Sequence, residues 1–442
     1  MNYSEHFRKV SVLGAAGKMG SGITLLTAME MADQLLKDPE QAMELWAIDL
    51  SPRGLRGLME YLKPQVLKAA EKKTVWLRQM YAGRPDLVEN GEIIAAYVAF
   101  VLSLVNTSAH LSDAGGSTLV FEAIKEDPEV KIPVLREILR NGDGNTWFFT
   151  NTSSIPIIRL DEEAGLGGAI IGFHFYNPPA VQKLVELIPS RNTHPELVEF
   201  ARQYAKNLRK VVVESNDFAG FIGNGHFMRD ALWAIETAGQ MAKTMPIEHA
   251  IWIVNRISQE FLLRPMGIFQ LIDYVGIDVA VYIMKVMNPY LPDEELVSPF
   301  FVNLVEKGIR GGQFSDGSQK EGFFRYEKGR PVAIINLQTL AYDPLDTVHA
   351  ATHTLVGDLP APLSWKEVNF APDKAEKLAD FFAALSHMKT YGAGMAISYG
   401  RNSMQIAKQL VASGVARCEA DVNKVMETGF YHAYGPVNEY FK

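Results

Sequence analysis

One short stretch constrains this chain more than any other: Val10-Ser-Val-Leu-Gly14-Ala-Ala-Gly17-Lys18-Met19-Gly20-Ser-Gly22-Ile. Its β-prone start predicts a strand, its glycines a tight turn, and its continuation the opening of a helix. Glycines let backbone come close to a pyrophosphate, and the unpaired amides at a helix start stabilise negative charge. The spacing is G-x-x-G-x-x-G instead of G-x-G-x-x-G, so on this motif alone a ligand-free turn stays open.

The rest of the first half fits that opening. β-prone runs at Val10–Leu13, Leu45–Ile48, Leu119–Phe121, Trp147–Thr150, Ala169–Phe173, Lys183–Ile188 and Val211–Val213 alternate with helical stretches. This pattern predicts an α/β fold, a Rossmann-like parallel sheet with crossover helices. The chain then turns helical, as in Phe227–Met245 and Glu248–Leu262, so the class changes near residue 214 and an all-α C-terminal part follows. A Gly-, Pro- and aromatic-rich connector with strand-like runs such as Val332–Leu337 separates two helical blocks, and residues 413–423 resemble residues 238–248. The expected domains are 1–213, 214–330 and 373–442, with 331–372 as connector.

A formal net charge of −8 argues against an extended nucleic-acid surface, because phosphate binding needs a positive field. The single cysteine, Cys418, forbids intramolecular disulfides and fits a reducing, cytoplasmic setting. No leader pattern is read at the N-terminus, where glycines break the apolar run. The longest apolar run, Ile93–Val105, falls short of the roughly 20 residues a spanning helix needs and reads as a buried helix. No G-x-S-x-G elbow or G-x-x-x-x-G-K-[ST] loop occurs, which removes support for acyl transfer and nucleotide hydrolysis. His349 and His353 have helical spacing without a metalloprotease glutamate or evident third ligand, so packing or solvent explains them better than metal.

In doubly wound sheets ligands sit beyond the carboxyl ends of the strands. Gly14, Asp49, Glu122, Ser153 and His174 each fall at or just after such an end, and together they describe a crevice. Asp49 can accept both hydroxyls of an adenosine ribose and repel a 2′-phosphate, which favours NAD; Arg53 keeps NADP open. Its distance from the glycines is assigned to a long first helix spanning Met29–Gln41. Alternation along Lys183–Ile188 turns Glu186 inward with Leu184 and Ile188, where a carboxylate needs a partner. His174 is a suitable one, since a carboxylate fixes the imidazole tautomer and stabilises the imidazolium. A structural histidine in a core hydrogen bond is the alternative. Lys63, Lys68, Lys72, Lys73 and Arg78 make the stretch after Asp49 basic, which reads as a solvated face or as a patch for a polyanion such as coenzyme A.

Taken in order, seven segments resemble the L-3-hydroxyacyl-CoA dehydrogenase family: Gly17-Lys-Met-Gly20-Ser-Gly22-Ile, Val120-Phe-Glu122-Ala-Ile-Lys-Glu-Asp127, Asn151-Thr-Ser153-Ser-Ile-Pro, His174-Phe-Tyr-Asn177-Pro, Leu184-Val-Glu186, Gly220-Phe-Ile-Gly-Asn224 and Gly267-Ile-Phe-Gln-Leu-Ile-Asp273. The resemblance implies a catalytic His174–Glu186 pair and substrate contacts from Ser153 and Asn224. It implies cofactor contacts from Gly14, Gly17, Lys18, Met19, Gly20, Asp49, Glu122, Asp127, Ser153 and Asn177. It also implies an active site between a Rossmann domain and helical domains, and the tail after Asp373 looks like the second helical repeat of long members. Such repeats pair within one chain, whereas single-repeat members form dimers, so a monomer or a homodimer is expected.

This chain departs from the family at the glycine turn, at Ala219, at Gly225 where an Arg commonly stands, and at Asp127 for a frequent Asn. The expected reaction is reversible NAD-dependent oxidation of a 3-hydroxyacyl-CoA of fatty acid metabolism by a monofunctional protein. A non-catalytic NAD- or CoA-binding or crystallin-like protein, and a dehydrogenase of a free hydroxy acid, are the alternatives.

Overall fold

Eight short runs meet in one sheet: β1 (Lys9–Leu13), β2 (Glu44–Ile48), β3 (Val105–Ser108), β4 (Leu119–Glu122), β5 (Trp147–Thr150), β6 (Ile170–Phe175), β7 (Leu184–Ile188) and β8 (Val211–Glu214). The structure, a computed structural model, describes residues 3–142, 144–314 and 317–441. The strand order is β3-β2-β1-β4-β5-β6-β7-β8. β1 to β6 run parallel, β7 is antiparallel to β6, and β8 is parallel to β7. Central strands are apolar on both faces because helices cover both, so β4, β6 and β7 are buried throughout.

β3 was not expected. Its sequence, Val-Asn-Thr-Ser, is half polar, which an edge strand with exposed Asn106 and Thr107 tolerates. The first helix runs Lys18–Lys37 instead of Met29–Gln41: it starts directly from the glycine turn, and a loop covers the remaining distance to β2. The long apolar run forms the helix Asn90–Ser103 and hands Val105 to β3. Among the described residues no helix is long and apolar enough to cross a membrane.

The chain divides into two compact units after Asp217, just past the class change read from sequence. The second unit contains the helices Phe221–Met241, Ile247–Arg256, Ile268–Val275, Ile277–Met287 and Pro299–Glu306. Ile247–Arg256 is prolonged by a π-helical turn at Ile257–Phe261. The start of the expected connector pairs with the stretch before it: β9 (Phe324–Glu327), β10 (Arg330–Ile335) and β11 (Tyr342–Pro344) form a three-stranded antiparallel sheet. Leu345–Val356, Lys374–His387, Tyr391–Ala412 and Glu419–Gly429 are the main helices of the tail.

Both helical blocks of this unit share one core. The helix Tyr391–Ala412 lies against Phe221–Met241 through a buried polar cluster: Arg264 Nη1 donates to Asp230 Oδ2 at 2.8 Å, and Tyr399 Oη donates to the same oxygen at 3.1 Å. A Cβ on Gly225 would stand 3.0 Å from Leu410 Cδ2. The tail therefore closes on Gly225, where the resemblance leads to the expectation of an Arg.

Candidate active site

The parallel strands β2, β1, β4, β5 and β6 are adjacent in the sheet, so their C-terminal ends form one continuous edge. Gly14 and Asp49 follow β1 and β2, Glu122 ends β4, Ser153 lies in the loop after β5, and His174 sits one residue before the end of β6. β6 begins and ends later than expected, which puts His174 inside the strand and gives it a fixed cross-strand partner.

At the start of this edge Gly14 has φ +70°, and the amides of Gly14 and Ala15 both donate to Ile48 O, at 2.9 and 3.1 Å. A Cβ on Gly20 would lie 2.0 Å from Gly14 O, so only glycine lets the helix seat on the turn. Gly17 is the N-cap and supplies no side-chain acceptor, which leaves amides of the first turn, beside exposed Lys18 and half-buried Met19, for an anion. Asp49 closes the turn: Oδ2 accepts from Ala16 N at 3.1 Å and Oδ1 from Ser51 N at 2.9 Å. A carboxylate has lone pairs beyond these two for ribose hydroxyls.

Glu122 is turned the other way. Its carboxylate is fully buried, bound to Lys131 Nζ at 2.7 Å, Ile124 N at 2.8 Å and Thr150 Oγ1 at 2.6 Å. These donors engage the side chain in the core, while the main chain of Glu122 stands at the strand end. Burial alone would push the Lys131 ammonium down, but Glu122 and Glu126 outweigh it and hold it above its usual value. Asp127 is the N-cap of the helix Pro128–Arg140, accepting from Glu129 N at 3.1 Å and pairing with Lys125 at 3.0 Å.

Glu126, which the sequence reading did not single out, builds the serine loop. Its Oε1 accepts from Thr152 Oγ1 (2.6 Å), Ser153 N (2.8 Å), Ser154 N (3.1 Å) and Ser154 Oγ (3.0 Å). Burial disfavours that charge, yet Lys131 and these donors keep the carboxyl below its usual range. Asn151 Oδ1, one strand over, accepts from Phe175 N at 2.9 Å and fastens the loop to β6.

His174 and Glu186 are direct cross-strand partners in the antiparallel β6–β7 ladder, so their side chains share a face. His174 is 9% exposed and Glu186 0%. His174 Nδ1 stands 3.3 Å from Glu186 Oε1. With Nδ1 turned to this carboxylate, Nε2 is the nitrogen on the other side of the ring. Tyr176 Oη donates to the same Oε1 at 2.7 Å, a contact the sequence reading missed.

Asn177 follows, and its Oδ1 is buried with no hydrogen-bond partner. The loop that carries it is held by Lys210, whose Nζ donates to Pro179 O at 2.5 Å and Gln182 O at 2.6 Å, and burial pushes that ammonium down to about 8. Pro179 in turn lies on Gly22, where a Cβ would come within 2.9 Å. The glycine turn at a helix start, Asp49 at the end of β2 and this unpartnered acceptor are groups a dinucleotide can use, so the residues present fit NAD. Asn224 belongs to the second unit, half-buried in the first turn of Phe221–Met241. Of the expected basic residues, Lys63, Lys68 and Lys72 are exposed, whereas Lys73 turns inward onto Asp33 at 2.5 Å.

The 3-hydroxyacyl-CoA dehydrogenase NAD binding domain matches residues 9–218, and the C-terminal domain of the same family matches residues 248–326. The chain belongs to the 3-hydroxyacyl-CoA dehydrogenase family. It is an NAD-dependent oxidoreductase, and its edge residues lie within the NAD-binding part of the family. It is 28% identical over 319 residues to a probable 3-hydroxybutyryl-CoA dehydrogenase of Deinococcus radiodurans, which covers 72% of this chain and 100% of that protein. A probable 3-hydroxybutyryl-CoA dehydrogenase of Bacillus subtilis is 27% identical over 323 residues, covering 72% of this chain and 98% of that one. The solved 3-hydroxybutyryl-CoA dehydrogenase of Escherichia coli K12 shares the fold over 97% of this dehydrogenase and 90% of its own chain, with TM-score 0.63 at 19% identity.

Proposed function

We propose that the chain reversibly oxidises an L-3-hydroxyacyl-CoA to the 3-ketoacyl-CoA, with His174 as the base. The observation that carries this reading is the His174–Glu186 pair, held in cross-strand register on the ligand-binding edge of a dinucleotide sheet. NAD, when bound, supplies the acceptor for the C3 hydride. His174 Nε2 takes the hydroxyl proton as the C3–H electron pair leaves and the ketone forms. Glu186 stabilises the resulting imidazolium, and the Ser153 hydroxyl holds the reacting oxygen from the loop that Glu126 orders. Asn177 Oδ1 receives a donor of the cofactor.

Exposed Lys63, Lys68 and Lys72 support a coenzyme A thioester over a free acid, because they face solvent without burying their charge. The joint core of the helical blocks supports two repeats paired within one chain, and the lone cysteine suits a cytoplasmic enzyme. The test is NADH oxidation with acetoacetyl-CoA and with acetoacetate. Turnover on the thioester at least about a hundredfold above the free acid is expected; equal turnover, or none on either with NADH bound, would reject it.

A further inference from the structure

We propose that Tyr176 is a positioning residue for this acid–base pair: its hydroxyl, bonded to the Glu186 oxygen that faces His174, sets how strongly that carboxylate supports the imidazolium. The inference rests on the function proposed above and concerns the same site. Tyr176 lies two residues beyond His174, so the period of an extended chain returns its side chain to the same face. Both donors meet at one atom, Tyr176 Oη at 2.7 Å and His174 Nδ1 at 3.3 Å from Glu186 Oε1. The two rings also flank each other, with centroids 4.9 Å apart at 44°.

The shorter of the two contacts belongs to the phenol, and an acceptor shared between two donors binds each less strongly. Tyr176 thus shares with His174 the one oxygen through which Glu186 holds the ring. On the neighbouring strands, β8 places Val213 opposite Glu186, and the neutral Asn151 accepts from Phe175 N between His174 and Tyr176. Burial and the charge of Glu186 hold the phenol well above its usual value, so it stays a donor throughout the working pH range.

The test is Tyr176→Phe in the full chain, with pH profiles in both directions. Removing the donor is expected to move the acid limb of kcat/KM for 3-hydroxybutyryl-CoA oxidation upward by about half a unit. Oxidation well below that limb then falls about threefold, and the basic limb of acetoacetyl-CoA reduction moves up equally. Plateaus that fall together while both limbs stay put would mean a merely structural contact and would overturn the proposal. A readout free of turnover is the NMR titration of the His174 ring, assigned with His174→Gln. An upward shift in Tyr176→Phe that vanishes in the Glu186→Gln background supports coupling through Glu186; no shift, or one that persists there, overturns it. If His174→Gln retained full turnover while Tyr176→Phe still moved the ring titration, the base assignment would fail and the coupling would stand.

Discussion

Lys131 and Glu122 are both essentially inaccessible, and Glu126 shares the ammonium at 3.2 Å. A buried ion pair adds little over an apolar pair, but removing one partner leaves a charge stranded. Lys131→Met is therefore expected to cost about 3–5 kcal/mol in urea unfolding, far above an ordinary surface change. Little of this was legible in the sequence. The resemblance could assign Glu122 to the cofactor, yet only the fold reveals that Lys131, one helical face away, turns that side chain into the core. His174 and Glu186 were legible because the alternation Leu184-Val-Glu186-Leu-Ile188 forces the carboxylate inward and demands a partner. Tyr176 was not, since nothing in a linear reading tells which oxygen a phenol beyond a strand end will reach.

Elements carry their own tests. The helix Lys18–Lys37 can begin only where Gly20 meets Gly14 O, so Gly20→Ala must force the turn open at a strain of roughly 1–3 kcal/mol. NADH binding, followed by fluorescence, is expected to weaken about tenfold or more. The helix Ile157–Ala164 lacks a cap of its own, and Asp217 from sixty residues on accepts from Ile157 N at 2.6 Å and Ile158 N at 2.7 Å. Burial lifts this carboxyl from 3.8 to about 6. A folded value above the unfolded one means the native state binds more protons between them, so this contribution is full below about 4 and is lost as pH rises through 6. Asp217→Asn should flatten the stability profile in that window, measured as Tm against pH; an unchanged slope would reject the assignment. Strands of the central sheet were legible as continuous apolar runs. β3 was not, because an edge strand lets half its residues be polar.

For the whole molecule, the sequence shows a change of class near residue 214 and a weak repetition in the tail, but not that the tail helix Tyr391–Ala412 would share a core with Phe221–Met241. That depends on Leu410 meeting Gly225 and on the Asp230–Arg264 pair, contacts separated by well over a hundred residues for Leu410 and closed only by folding. The acidic chain also exposes Lys63, Lys68 and Lys72 on one helix, Pro52–Lys72. Replacing all three by Ala should raise KM for acetoacetyl-CoA roughly tenfold at low salt, leave kcat unchanged, and shrink the salt dependence of KM. The central claim, that His174 is the base, is tested most directly by single-turnover reduction of acetoacetyl-CoA with NADH prebound. His174→Gln should lower that rate about 10²–10⁴-fold with NADH affinity intact, and a rate within twofold of the unsubstituted enzyme would contradict it.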